Sequence, residues 1–256
     1  LFAKQLEGIT ITSGTISATG ANLSGTVSAS AFVGDGSGLT GINASVSSST
    51  HLDSNNTIAI GGVVSATNSV AIGKDALAAN TSGADNTAVG YESLSSNTTG
   101  SRNTANGLTT LYSNTTGGNN TASGYYALHS NSTGNRNTAY GSATLSFNNS
   151  GSENTAIGYT ALYYNTTGNS NTAIGGMALN SNTTGVNNTA NGLMALFSNT
   201  TGNRNTANGN IALENNTTGS GNVANGEKSL FSNTTGANNT AIGNGADVGS
   251  NNLTNA

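Results

Sequence analysis

Apolar and polar positions recur with a period of 17 residues from residue 69 to residue 238, without insertion or deletion. The ten full copies share the consensus Asn-Thr-Ala-x-Gly-x-x-Ala-Leu-x-x-Asn-Thr-Thr-Gly-x-x, and an eleventh copy begins at Asn239. A period this short leaves no room for a helical hairpin and is typical of a stacked β-coil array in which each copy adds one rung. We therefore predict an all-β solenoid. We number its rungs coil 1 (69–85) to coil 10 (222–238), with position 1 at the first residue of each copy.

The pattern within one copy predicts two short strands and two corners. Thr and Ala at positions 2 and 3 lead to Gly at position 5, which predicts the first strand, and Ala-Leu at positions 8 and 9 predicts the start of a second. Asn-Thr-Thr-Gly at positions 12 to 15 has the composition of a tight turn. Coils stacked by backbone hydrogen bonds advance about 4.8 Å each, so ten coils predict a rod about 50 Å long.

Invariant columns indicate where space inside the coil is tightest. Position 3 is Ala and position 5 is Gly in every copy, including the eleventh, and position 9 is Leu in all ten full copies. We expect this last column to form the core ladder, made of Leu77, Leu94, Leu111, Leu128, Leu145, Leu162, Leu179, Leu196, Leu213 and Leu230.

The first strand carries signs of burial on both faces. Alternation places positions 3 and 5 on one face and positions 2 and 4 on the other, and position 2 is Thr or its near isostere Val. Only 34% of the chain is hydrophobic, so a strand covered on both sides predicts neighbours from other chains. We therefore expect a parallel homotrimer that forms a fibre.

Three zones divide the chain. Residues 1–50 are rich in Ser, Thr and Gly and predict a β-type connector, residues 51–249 form the repeat array, and residues 250–256 form a terminal tail. Residues 57–61 match residues 69–73, which lie twelve positions later, so the array is expected to start with a tighter coil.

Composition limits the partners. Six Lys and Arg against ten Asp and Glu, without a run of like charge, disfavour nucleic acids and anionic membranes. The chain has no Cys, and no apolar run approaches the roughly 20 residues of a membrane helix. The carboxylates are scattered, so we expect no metal site and no cofactor.

Two stretches resemble known fibre proteins. Asn-Ser-Val-Ala-Ile-Gly at 68–73 and Asn-Thr-Ala-Ile-Gly at 154–158 resemble the head repeats of trimeric autotransporter adhesins of the YadA type, over about residues 56–249. That resemblance implies a trimeric left-handed β-roll on a cell surface that adheres to host or matrix molecules. Residues 32–42 resemble a linker of phage tail fibres. Both resemblances imply a fibre, extracellular, on a cell surface or on a virion, and not an enzyme.

The most pointed chemical motif is the sequon Asn-x-Ser/Thr at position 12. In a eukaryotic source it predicts a column of N-glycans along an exposed corner, but a turn with an Asx bond and a stacked Asn ladder is favoured. The candidates are Asn80, Asn97, Asn114, Asn131, Asn148, Asn165, Asn182, Asn199, Asn216 and Asn233.

Other candidate sites carry weaker signals. Repeated Thr at position 2 is compatible with an ice-binding face, although a buried packing role is favoured. Neither His51 nor His129 has a repeated acidic partner, and the Gly-rich run at 34–38 lacks the Lys of a phosphate loop. Aromatic residues that offer stacking surfaces for receptor sugars occur at positions 6 and 10, namely Tyr91, Tyr125, Tyr159, Tyr112, Tyr163, Phe197 and Phe231. Their irregular occurrence favours interface filling or ordinary surface positions instead.

A structural or adhesive fibre segment that binds a glycan or protein receptor is therefore the favoured hypothesis. The alternatives are a virus tail-fibre shaft, a glycan-coated structural fibril and an ice-binding solenoid.

Overall fold

One continuous β-sheet runs the length of the repeat array. The computed structural model describes residues 51–52, 58–60 and 68–248, so the predicted connector at 1–50 and tail at 250–256 lie outside the described residues. Each strand after the first is three residues long, and no helix occurs among the described residues. The strands are β1 His51–Leu52, β2 Ile58–Ile60, β3 Val70–Ile72, β4 Thr87–Val89, β5 Thr104–Asn106, β6 Thr121–Ser123, β7 Thr138–Tyr140, β8 Thr155–Ile157, β9 Thr172–Ile174, β10 Thr189–Asn191, β11 Thr206–Asn208, β12 Val223–Asn225 and β13 Thr240–Ile242.

Strand order in the sheet follows chain order from β1 to β13. From β2 onward all neighbours are parallel, and equivalent positions pair, as Ala88 does with Ala105 and Ala105 with Ala122. Ile58 pairs with Val70, which confirms that the first spacing is twelve residues. β1 runs antiparallel to β2 and covers the outer edge of the sheet at this end. The described residues therefore form a parallel β-solenoid, as the period predicts.

The strand at positions 2 to 4 turns one face inward. The Ala at position 3 is buried in every coil, because the opposite side of the coil packs directly against it. Gly at position 5 follows with φ near +130°, a conformation that only glycine adopts without strain. A Cβ on Gly107 would lie 2.6 Å from the carbonyl oxygen of Gly124 in the next coil, so the stacking distance also requires glycine.

The predicted second strand is wrong. Positions 7 and 9 both adopt left-handed φ, as in Glu92 (52°) and Leu94 (51°), and an extended strand cannot contain such residues. Positions 6 to 11 instead form a series of turns, which we call the turn segment. Its amides still bond between coils: Glu92 N–H donates back to the Lys74 carbonyl at 2.9 Å, and Leu94 N–H donates forward to the Thr110 carbonyl at 3.0 Å. The apolar pair at positions 8 and 9 therefore marks a buried turn.

The apolar core lies between the strand and the turn segment. All ten leucines of the predicted core ladder have no exposed surface, which confirms that assignment. The small residues at position 8 are also buried. Where this residue is Ser, its hydroxyl donates within the coil, as Ser93 does to the Gly90 carbonyl at 3.1 Å, and where it is Thr, the hydroxyl donates to the next coil, as Thr110 does to the Gly124 carbonyl at 2.7 Å. One Leu and two small side chains thus supply most of the apolar core of each coil.

Candidate interaction surfaces

The corner at position 12 is buried, so the prediction of an exposed sequon column is wrong. Nine of the ten asparagines have no exposed surface, and Asn80 at the first coil is 5% exposed. Asn114 Nδ2 donates to Oδ1 of Asn97 in the preceding coil at 2.7 Å and to the Gly117 carbonyl at 2.9 Å. The same pair of bonds recurs from Asn97 to Asn233.

These hydrogen bonds make a glycan on the sequon asparagines incompatible with the folded coil. Each Nδ2 has two hydrogens and both are donated, so a glycosidic bond would remove one donor and place a sugar inside the coil. The favoured prediction of a stacked Asn ladder is confirmed. Its turn contact differs from the expected Asx bond, because Nδ2 donates to position 15 while Oδ1 accepts from the next coil.

A second Asn ladder at position 1 was not foreseen from the sequence. The backbone N–H and the Nδ2 of Asn120 both donate to Oδ1 of Asn103, at 3.0 and 3.1 Å. Asn120 Nδ2 also donates to the Gly134 carbonyl at 2.9 Å, and Asn131 Nδ2 reaches the same oxygen at 3.0 Å. The two ladders therefore meet at position 15. Among the described residues no buried side-chain nitrogen or oxygen lacks a partner.

The outward side of the sheet, formed by positions 2 and 4 and here called the strand face, is open to solvent. Position 2 is half-buried or exposed in every coil, so the single chain leaves this face uncovered, and its expected burial by neighbouring chains stays a prediction. The strand turns the position 2 Thr outward, so the packing role favoured for it requires a neighbouring chain and stays a prediction. Position 4 carries exposed apolar residues, among them Ile72, Tyr140, Ile157 and Ile174.

Hydroxyls on the strand face form one regular column only. Thr occupies position 2 in most coils, but position 4 beside it mixes Ile, Val, Tyr, Ser and Asn. The strand face thus combines one column of Thr with one of variable, mainly apolar or amide side chains.

Aromatic rings gather on the turn segments of coils 3 to 6. In coil 4, Tyr125 lies 4.3 Å from Tyr126 and Tyr126 stacks on His129 at 4.6 Å, measured between ring centroids. His129 also stacks at 5.2 Å on Tyr112, its equivalent in coil 3. As stacking residues the sequence singled out only Tyr112 and Tyr125, although Tyr112 and His129 are 17 residues apart at position 10.

A second group of rings follows on coils 5 and 6. Phe147 and Tyr164, both at position 11, stack with centroids 5.8 Å apart. Tyr163 meets Phe147 edge to face at 5.0 Å and Tyr164 at 4.7 Å. We call the two groups together the aromatic belt: Tyr112, Tyr125, Tyr126, His129, Phe147, Tyr163 and Tyr164.

The aromatic belt is electrically neutral. Turn segments of coils 3 to 6 contain no Asp, Glu, Lys or Arg. Burial lowers the pKa of His129, and burial together with a hydrogen bond to Tyr126 raises the pKa of Tyr125. The side chains of His129 and Tyr125 are therefore uncharged at neutral pH. The charged residues of the same coils, Arg136 and Glu153, lie at position 17 and pair at 3.1 Å.

The remaining predicted candidates do not meet in one place. Tyr91 lies on coil 2, where a hydrogen bond with Glu92 and the negative charge of that residue raise its pKa. Phe197 and Phe231 lie at position 10 of coils 8 and 10, outside the belt, and the run at 34–38 lies outside the described residues. The described residues contain no group of His, Asp and Glu arranged to hold a metal, and none of their segments is a helix able to cross a membrane.

Comparison with known proteins adds no family. The chain matches no known protein-family model, and a search of curated proteins finds no match.

Proposed function

We propose that this chain is a structural and adhesive segment of an extracellular or cell-surface fibre. In this proposal it forms a left-handed β-roll, assembles as a parallel homotrimer and binds by its repeated surface without catalysing a reaction. The observation that carries the proposal is the parallel sheet from β2 to β13, in which equivalent residues pair without a break in register. A stack in which every coil bonds to both neighbours suits a stiff spacer that holds binding surfaces away from their support.

The open strand face supports assembly. Ile157 and Ile174 are each 40% exposed at position 4 of adjacent coils, and Tyr140 precedes them. Columns of exposed apolar side chains lose contact with water when equivalent faces of several chains meet. A parallel arrangement would bring the same column of each chain to a common axis, because every coil has the same length.

The neutral, amide-rich composition of this face supports close lateral packing. The coils that lack an apolar residue at position 4 carry Asn or Ser there, including Asn106, Asn191 and Asn208. Amide side chains can bond to equivalent amides of neighbouring chains without the repulsion that like charges would cause.

Native mass spectrometry of the purified chain tests the assembly. We expect a particle of three times the 25.1 kDa chain mass. Replacing Ile157 and Ile174 by Asn, the residue that position 4 carries in coils 3, 8, 9 and 10, should release monomers while circular dichroism stays unchanged. The substitution Thr167→Ala at an exposed position of coil 6 serves as the control and should leave the trimer intact.

A monomeric native particle would contradict the assembly part of the proposal. Trimers that persist unchanged in the double Asn variant would show that the strand face is not the contact. The same spectra report attached sugar: after secretion from a eukaryotic cell, we expect the folded chain to carry no glycan at position 12, because those amides are buried.

A further inference from the structure

The aromatic belt exposes rings that the fold itself does not need. Tyr125, Phe147 and Tyr164 are 54%, 45% and 50% exposed, whereas the position 9 leucines that hold the same coils together are fully buried. Position 11 is Ser in coils 2, 3, 4, 7, 8 and 10, so the turn closes equally well without a ring there. Large exposed rings in contact with one another mark a contact surface for a partner.

Confinement to coils 3 to 6 argues against a second copy of this chain as the partner. A parallel contact between identical chains would use the same column along the whole rod, as the strand face can. The belt instead spans three coil steps, about 14 Å at about 4.8 Å per step, and its positions carry Ser, Asn or Glu in many other coils. A short, finite ligand fits this extent.

The chemistry of the belt favours a neutral ligand with both apolar and hydroxyl surfaces. The phenol hydroxyls and the half-buried Ser113 and Ser130 offer hydrogen bonds beside the rings, and no charged side chain lies in these turn segments. The face of an aromatic ring carries partial negative charge and attracts the C–H groups of a pyranose ring. A charged polymer would find no counter-charge here.

We infer that the aromatic belt binds a neutral oligosaccharide, with sugar rings stacked on Tyr125, Phe147 and Tyr164 and sugar hydroxyls bonded to the phenol and serine hydroxyls. This inference names the ligand class of the proposed adhesive fibre and rests on that proposal.

Isothermal titration calorimetry of the native assembly tests the inference with the neutral hexasaccharides cellohexaose, mannohexaose and laminarihexaose, and with heparin as the charged probe. At least one neutral hexasaccharide should bind, and heparin should not. Replacing Phe147 and Tyr164 by Ser should weaken that binding at least about fivefold, the effect of losing a contact worth about 1 kcal/mol.

Matched variants separate binding from folding. Phe231→Ser removes a ring that is 37% exposed at position 10 of coil 10, outside the belt, and should bind sugar like the unchanged chain. Should the double Ser variant fail to fold, Tyr125→Asn replaces one ring by the residue that coil 9 carries at the same position, Asn210, and should weaken binding in the same direction.

Three results would overturn the inference: no neutral hexasaccharide binds, heparin binds more tightly than all of them, or the belt variants bind as the unchanged chain does. Native mass spectra of the same samples keep the two proposals apart. A trimer that binds no sugar removes the inference and leaves the fibre proposal standing, whereas a monomer contradicts the trimeric assembly whether or not it binds sugar.

Discussion

Coil 6 and coil 9 have the same backbone and different surfaces. Leu162 and Leu213 adopt φ of 52° and 53°, and Gly158 and Gly209 adopt 133° and 134°. Outward positions differ: coil 6 presents Ile157, Tyr159, Tyr163 and Tyr164, where coil 9 presents Asn208, Asn210, Glu214 and Asn215. Inward residues therefore specify the coil, and outward residues vary without changing it. Four expected outcomes test this separation, from the largest effect to the smallest.

Truncating the buried leucine should lower the free energy of unfolding by the same amount in coil 6 and in coil 9. Leu162→Ala and Leu213→Ala each leave a cavity in a fully buried site, and we expect each to lower the free energy of unfolding by about 2 to 5 kcal/mol. Urea titration followed by circular dichroism measures both. A loss in one coil several times that in the other would mean that surface residues also determine the stability of the coil.

Removing one amide from the buried Asn ladder should lower the free energy of unfolding less than the leucine truncations do. The loss should again be equal in the two coils. Asn165→Ala leaves Oδ1 of Asn148 without the Nδ2 that lies 2.7 Å away, and Asn216→Ala does the same to Asn199. We expect each variant to lower the free energy of unfolding by about 1 to 3 kcal/mol.

The exposed hydroxyl two residues later provides the control for that pair. Thr167→Ala in coil 6 and Thr218→Ala in coil 9 should stay within about 0.5 kcal/mol of the unchanged chain. If the Asn and Thr variants lost the same stability, the ladder would contribute no more than ordinary surface contacts.

Acid should destabilise the coil that contains His129. Because burial holds the pKa of His129 below the 6.5 of the unfolded chain, the unfolded state takes up the proton first, and stability falls as pH drops below 6.5. Urea midpoints at about pH 8 and about pH 5 measure this fall.

The variant His129→Tyr, which copies the residue of coils 3 and 6, should reduce that pH dependence. His51→Gln is the second variant and should retain it. If the pH dependence is unchanged in His129→Tyr, a titrating group other than His129 causes it.

Exchanging a surface residue between the two coils should change stability least. Tyr159→Asn and the reverse change Asn210→Tyr alter only an exposed side chain at position 6, so each should shift the unfolding free energy by no more than about 0.5 kcal/mol. Thermal melts of both variants check this. A larger loss for Tyr159→Asn would show that the ring contributes to the coil.

Predictions from the sequence succeeded where a column admits one residue type. The period, the strand at positions 2 to 4 and the Leu ladder all follow from invariant positions, since stacking repeats one environment in every coil. The second strand failed because apolar pairs such as Ala161-Leu162 look alike in a strand and in a buried turn. Left-handed φ at Leu162 distinguishes the two, and the residue type alone gives no sign of it.

The candidate surfaces were harder to predict, because the residue types of a sequon or a Thr column are the same whether the position is buried or exposed. Asn165 is a good glycan acceptor by motif, yet its neighbour in the stack lies 2.7 Å away and uses it as a bonding partner. Phe147 and Tyr164 were not singled out from the sequence, although the 17-residue offset places them side by side on consecutive coils.

By itself, the sequence determined the coil length, the register and the identity of the apolar core, because a repeated backbone environment accepts the same residue each time. Only the tertiary structure decided which polar residues are inside. Asn and Thr lie between apolar and charged residues in their preference for water, so their burial depends on whether the neighbouring coil provides a hydrogen-bond partner.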